Sequence, residues 1–189
     1  MEKYIMTYPE APAERQVNAQ QVSGAILGRI WTGGTNLLEN MKDIFAQSEG
    51  PVMIFEDDVW PCSHFNDRVN HVLDLVGDKE LINFFHPPVN NLRGIHQCKP
   101  QGYMYNQCTY YPSWFIECFL ENYNFLKGEF AWYDHHNDSA AVIGAMLKML
   151  NRDFYCVFPY LVKTIDATST LGHRMTFPQN KDFIDDSQS

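Results

Sequence analysis

Apolar positions along the chain alternate between two spacings, and the alternation predicts strands interleaved with helices. Leu37, Leu38, Met41, Ile44 and Phe45 recur at helical spacing, with Thr35 or Asn36 placed to cap them and Gly50-Pro51 to stop the run. Val69, Val72, Leu73 and Val76 mark one side of a helix over 65–76, with Gly77 just past its end. Further helices are expected over 14–22, from Pro112 through 126, and after Asp138 or Ser139, where Val142, Ala145, Met146 and Met149 face inward. Between them lie short β-prone runs at 3–6, 25–31, 81–85 and 154–158. Val52-Met53-Ile54-Phe55 is unbroken by polar residues, as in a strand buried on both faces. Residues 89–111, rich in Asn, Gln, Gly and Tyr, read as a long loop with a short hairpin. This order predicts one α/β domain over 1–177, a mostly parallel sheet flanked by helices, and a mobile polar tail over 178–189.

Composition narrows the partners. A net charge of -9, with Lys and Arg scattered singly, argues against tight binding to a phosphate backbone. The opening MEKYIMTYPE lacks the basic start and apolar run of a secretory leader. No apolar stretch approaches the length of a membrane span. Five cysteines without a CxxC pair suggest reduced thiols and a cytoplasmic location. A zinc set of His86, His96, Cys98 and Cys108 is the lesser alternative, since its spacing fits no familiar finger.

The chemistry concentrates directly after the buried run, at Glu56-Asp57-Asp58. Ligands bind at the carboxyl ends of strands in open α/β sheets. Strand alternation would point Glu56 and Asp58 the same way, so that both carboxylates could hold Mg²⁺ or Mn²⁺ and, through it, a diphosphate. Three adjacent acids beside a core repel one another and lose hydration, a penalty that a cation removes. An acidic strand end that faces solvent or caps a helix is the alternative.

The surroundings of the triplet, Val52 to Val59 followed by Pro61-Cys62 and Phe65, resemble the metal motif of short phage and bacterial glycosyltransferases. These are similar to the family-25 lipopolysaccharide glycosyltransferases, which have a GT-A-type, Rossmann-like fold. Pro159-Tyr160-Leu161-Val162 followed by Ser169-Thr170-Leu171-Gly172-His173 resembles the closing motif of that group, and Ile5-Met6-Thr7 with Arg15 and Asn18 its nucleotide-binding opening. The chain departs from the pattern at Thr164, where relatives carry a histidine.

The resemblance implies a metal-dependent enzyme that moves a sugar from a nucleoside diphosphate, most naturally a UDP-sugar, to an acceptor hydroxyl. Glu56 and Asp58 would hold Mn²⁺ or Mg²⁺, with His173 as third ligand or diphosphate contact and Asp57 nearer the ribose or sugar. Thr7 and Arg15 would lie beside the nucleotide, Asn40 would reach the donor sugar, and Trp60 could wall the pocket. Asp138 is the candidate catalytic base, with Asp134 behind it; an N-cap role alone would also explain an Asp there. The expected acceptor is a saccharide. A hydroxymethylated pyrimidine in phage DNA is the alternative, which calls for a basic groove from residues such as Arg29, Arg93, Lys99 and Arg174. A non-catalytic nucleotide- or sugar-binding protein on the same fold is another reading; a phosphotransferase or nuclease using the same acids is a third, which no P-loop and no second carboxylate cluster supports.

Overall fold

The computed structural model describes residues 1–34, 36–85, 93–103, 105–129 and 139–165. The candidate base Asp138, Asp134, His86, the segment 169–173 with His173, and the tail over 178–189 lie outside the described residues.

The protein is α/β. Strands β1 (Glu2–Thr7), β2 (Arg29–Thr32) and β3 (Val52–Glu56) alternate with helices α1 (Ala13–Ile26) and α2 (Leu37–Gln47). There follow β4 (Val59–Pro61), α3 (Phe65–Val76), β5 (Ile82–Asn83), β6 (Gly94–Cys98), a 3-10 turn at Pro100–Gly102 and β7 (Cys108–Tyr111). Helices α4 (Ser113–Glu129) and α5 (Ser139–Met149) precede β8 (Phe154–Phe158) and β9 (Val162–Thr164).

Among the described residues seven strands form one sheet in the order β2-β1-β3-β7-β5-β8-β6, and β4 pairs with β9 in a separate ribbon. The sheet is mixed rather than mostly parallel. Strand β7 runs antiparallel between β3 and β5, and β6 runs antiparallel on the far edge against β8. Both come from the segment that reads as a loop in sequence. Their partners are distant strands rather than each other, so no local hairpin pattern announces them.

Val52, Met53, Ile54 and Phe55 are each 0% exposed, as a strand covered on both faces requires. Val52 and Ile54 join α2, α4 and α5 in one core; Met53 and Phe55 join α1 and α3 in the other. Phe45 of α2 anchors the first core, edge-on to Tyr111 at 5.1 Å and to Phe119 at 5.2 Å. Such ring pairs contribute about 0.5–1.5 kcal/mol each beyond the area they bury.

Two boundaries differ from expectation for a local reason. Ala25-Ile26 finish α1, because Ala19, Val22 and Ile26 form one buried stripe, and Leu27 then ends the helix in the left-handed region at φ 57°. Strand β2 is therefore short. Asn36, one of the two expected caps, closes α2 by accepting from the Glu39 N–H at 3.1 Å.

The placement of α1 and α2 shapes the site. They follow adjacent parallel strands yet pack on opposite faces of the sheet. The loops leaving β1 and β2 therefore diverge and open a crevice at the carboxyl ends of these strands.

Candidate active site

The acidic triplet straddles the end of β3. Glu56 is its last residue, and Asp57-Asp58 form the turn into β4. Strand alternation thus stops at Glu56, and the expected shared face for Glu56 and Asp58 does not arise from strand geometry. The turn is held from α1. Asn18 donates from Nδ2 to the carbonyls of Asp57 and Val59, both at 2.9 Å. Arg15, one turn earlier on the same helix face, pairs with Asp57 and lies 3.4 Å from Asp58 Oδ2. Thr7 at the end of β1 donates to Asp57 Oδ2 at 2.7 Å.

Thr7, Arg15 and Asp57 therefore form one buried unit, with Asp57 only 2% exposed. The guanidinium supplies within the chain part of the counter-charge that the triplet demands. It does not satisfy Asp58. Burial, followed by the Asp57 charge, pushes the Asp58 carboxyl above its usual range, and Arg15 only partly opposes this. Asp58 keeps 21% of its side-chain surface open, while its Oδ1 is buried without a hydrogen-bond partner among the described residues.

Asp58 Oδ1 has company. Arg15 Nε, Trp31 Nε1 and Gln107 Oε1 are also buried without a hydrogen-bond partner among the described residues. Arg15 is on α1, just after β1, and Trp31 is near the end of β2, packed against the core on the other face of the sheet. Gln107 sits beside the end of β3, where its backbone carbonyl accepts from the Glu56 N–H at 2.9 Å. All four atoms thus lie at the same end of the sheet. Native proteins leave few buried polar groups unpaired, and a ligand, ion or water commonly explains those that remain.

Asn40 shapes the crevice rather than projecting into it. It is 4% exposed, and its Nδ2 donates to the Gly34 carbonyl at 2.8 Å. A Cβ on Gly33 would fall 2.0 Å from Asn40 Oδ1 and 2.8 Å from Trp31 Nε1, so any larger residue here would have to displace the buried Asn40 side chain. The Gly33 N–H in turn donates to the Thr7 carbonyl at 3.1 Å.

On the opposite face of β3 a polar network fixes the start of α5. Asn106 Oδ1 accepts from the hydroxyls of Tyr103, at 2.9 Å, and Tyr111, and its Nδ2 donates to Ser139 Oγ at 3.1 Å. Burial above all raises the Tyr103 phenol, and the Glu56 charge adds a small push in the same direction, which sets Glu56 electrostatically beside this network. Ser139 directly follows the candidate base Asp138 in sequence.

Other expected residues are dispersed. Trp60 lines a cavity of about 530 Å³ with Lys163, His64 and Ala25, near the far end of α1. Ten residues of helix, roughly 15 Å, separate Ala25 from Arg15, so this cavity is not the crevice. The zinc set is broken up: Cys108 is on β7 in one core, whereas Cys98 is on the edge strand β6 against the other. Among the described residues no three His, Cys, Asp or Glu side chains form a group that could hold a metal. The expected third ligand, His173, lies outside them.

The proposed basic groove does not form from its described members. Arg29 is on the edge strand β2, paired with Glu2 at 3.2 Å, and Lys99 follows the opposite edge strand β6, paired with Asp153 at 2.9 Å. Six strand spacings, on the order of 30 Å, lie between them. No helix among the described residues is long and apolar enough to cross a membrane.

A scan against protein-family models finds none that matches the chain, and a search of curated proteins finds no match.

Sequence reasoning missed the roles of Arg15, Asn18 and Asn106. For the first two a signal existed: both are polar positions adjoining the apolar stripe Ala19-Val22-Ile26, where a buried polar side chain needs a specific partner.

Proposed function

We propose that the protein is a nucleotide-sugar-dependent glycosyltransferase of GT-A-like architecture, with its donor in the crevice above β1, β2 and β3. The supporting observation is the set of four orphaned polar atoms at that end of the sheet. Two are donors, Arg15 Nε and Trp31 Nε1, and two are acceptors, Asp58 Oδ1 and Gln107 Oε1. A diphosphate alone would satisfy only the donors. A diphosphate accompanied by a divalent cation offers anionic oxygens to the first pair and positive charge to the second.

Asp58 fits Mn²⁺ or Mg²⁺ because its open carboxylate face has hard oxygen donors and an unmet charge; Glu56, the second carboxylate, would have to reach the ion over the end of β3 from the face of the Tyr103 network. Such an ion supplies counter-charge to the departing diphosphate. The chain's own residues do the rest. Thr7, Arg15 and Asn18 hold the turn that presents Asp58, and Asn40 with Gly33 sets the floor for the nucleoside. Asp138 would take the proton from the acceptor hydroxyl, next to the anchored Ser139. A saccharide is the preferred acceptor, since Arg29 and Lys99 lie on opposite edges of the sheet, each already paired with a carboxylate.

The internal counter-charge from Arg15 favours one second reading, a nucleotide-binding protein that needs no metal. Thermal denaturation with uridine diphosphate, with and without Mn²⁺ and chelator, separates the two. The enzyme reading expects a rise in Tm that needs the metal. A rise indifferent to chelator supports the binding protein, and no shift with any nucleoside diphosphate contradicts both.

A further inference from the structure

We infer that Cys98 is a thiol-oxidation site, with Cys156 as the thiol that resolves it into a reversible disulfide between β6 and β8. The two sulfur atoms are 3.4 Å apart, and both cysteines are free. Antiparallel pairing sets Cys98 opposite Phe154 and His96 opposite Cys156, so the cysteines are diagonal neighbours on one face of the sheet. A disulfide bond is about 2.05 Å long, so the sulfurs must approach by roughly 1.4 Å. Strand β6 can supply that movement, because among the described residues it is an edge strand held on one side by β8.

The two thiols are unequal in the way the chemistry requires. Cys98 is half-buried and reachable, whereas Cys156 is 0% exposed. The neighbouring Cys156 thiol holds Cys98 below the usual thiol range against the opposing effects of burial and Asp153. The same contact, reinforced by burial, pushes Cys156 up. The more exposed sulfur is the one a peroxide can reach, and the buried one lies directly behind it, placed to attack it in turn.

The oxidant is a hydroperoxide, hydrogen peroxide being the simplest. The Cys98 thiolate attacks one peroxide oxygen, the O–O bond breaks, and Cys98 becomes a sulfenic acid as hydroxide takes up the thiol's proton to leave as water. Cys156 sulfur then attacks the sulfenic sulfur, the S–O bond breaks, and the second proton leaves with that oxygen as water. Two thiols and one peroxide give one disulfide and two waters. The remaining cysteines differ in access or place. Cys108 is wholly buried with its thiol pushed well up, Cys62 is buried in the same core, and Cys118 is on α4.

The test is titration of the native full-length chain with hydrogen peroxide, followed by alkylation and peptide mapping. Two of the five thiols should disappear, Cys98 should map to Cys156, and dithiothreitol should restore both. Cys98→Ser should keep its four thiols under the same dose. Cys156→Ala should stop at a Cys98 sulfenic acid that dimedone traps. Five alkylatable thiols after treatment, a link between any other pair, or loss of two thiols from Cys98→Ser would each overturn the inference. Because Cys98 sits on an edge strand, its serine variant keeps the test decisive should Cys156→Ala fail to fold.

Discussion

Replacing Arg15 by Met asks whether the chain supplies its own counter-charge to the acidic turn. Methionine nearly conserves the buried volume and removes the guanidinium. Asp57 would keep its bond from Thr7 at 2.7 Å but lose its buried cation, and it has only 2% of its surface in water. Breaking a buried pair from one side costs about 3–5 kcal/mol. With Arg15 itself 5% exposed, solvent screening does little to reduce that figure. Folded domains hold about 5–15 kcal/mol in total, so the variant should be severely weakened at pH 7. In urea, with a slope of about 2 kcal/mol per M, the midpoint should fall by roughly 2 M.

The pH dependence gives a second reading of the same charge. The Asp58 carboxyl is already raised in the folded protein, and Arg15 is the side chain that lowers it. Without Arg15 it rises further. A raised carboxyl contributes stability that is present below the unfolded value, about pH 4, and lost as pH climbs through the folded value. The deficit of Arg15→Met should therefore be largest at neutral pH and shrink towards pH 4. A deficit under 1 kcal/mol at pH 7, or one that grows on acidification, would refute the counter-charge role.

Two further outcomes follow from packing. Gly33→Ala should cost about 1–3 kcal/mol through the clash with Asn40, while Gly34→Ala, whose added Cβ meets nothing within 4 Å, should be near neutral in the same urea assay. Donor-induced stabilisation should fall with the first substitution and survive the second. Asn106→Leu should cost about 1–3 kcal/mol by stripping a shared acceptor from Tyr103 and Tyr111, read by chemical denaturation. Equal stability of that variant would mean that the two hydroxyls find other partners.

The elements legible in sequence are those whose signal is local. The helix over 65–76 emerges with the expected bounds because Val69 and Val72 face one core and Gly77 ends the run. The continuous Val52–Phe55 run identified a strand covered on both sides. Strand β7 was illegible because Cys108–Tyr111 is stabilised by β3 and β5, both far away in sequence. The triplet was found for its charge, but its geometry was misjudged. Alternation holds only within a strand, and the chain turns after Glu56 under the grip of Asn18. The sequence points to a metal cation as the partner of these acids; that Arg15 supplies part of the counter-charge depends on α1 packing beside the turn.

Donor turnover at the crevice is read by product mass spectrometry. The protein would be incubated with a panel of sugar nucleotides, Mn²⁺, and two acceptors, an oligosaccharide pool and hydroxymethylated DNA. A metal-dependent mass increment of one sugar on an oligosaccharide is expected, lost by orders of magnitude in Asp58→Asn and in an Asp138→Asn protein that still binds donor. No transfer from any donor, or turnover unchanged in Asp58→Asn, would contradict it.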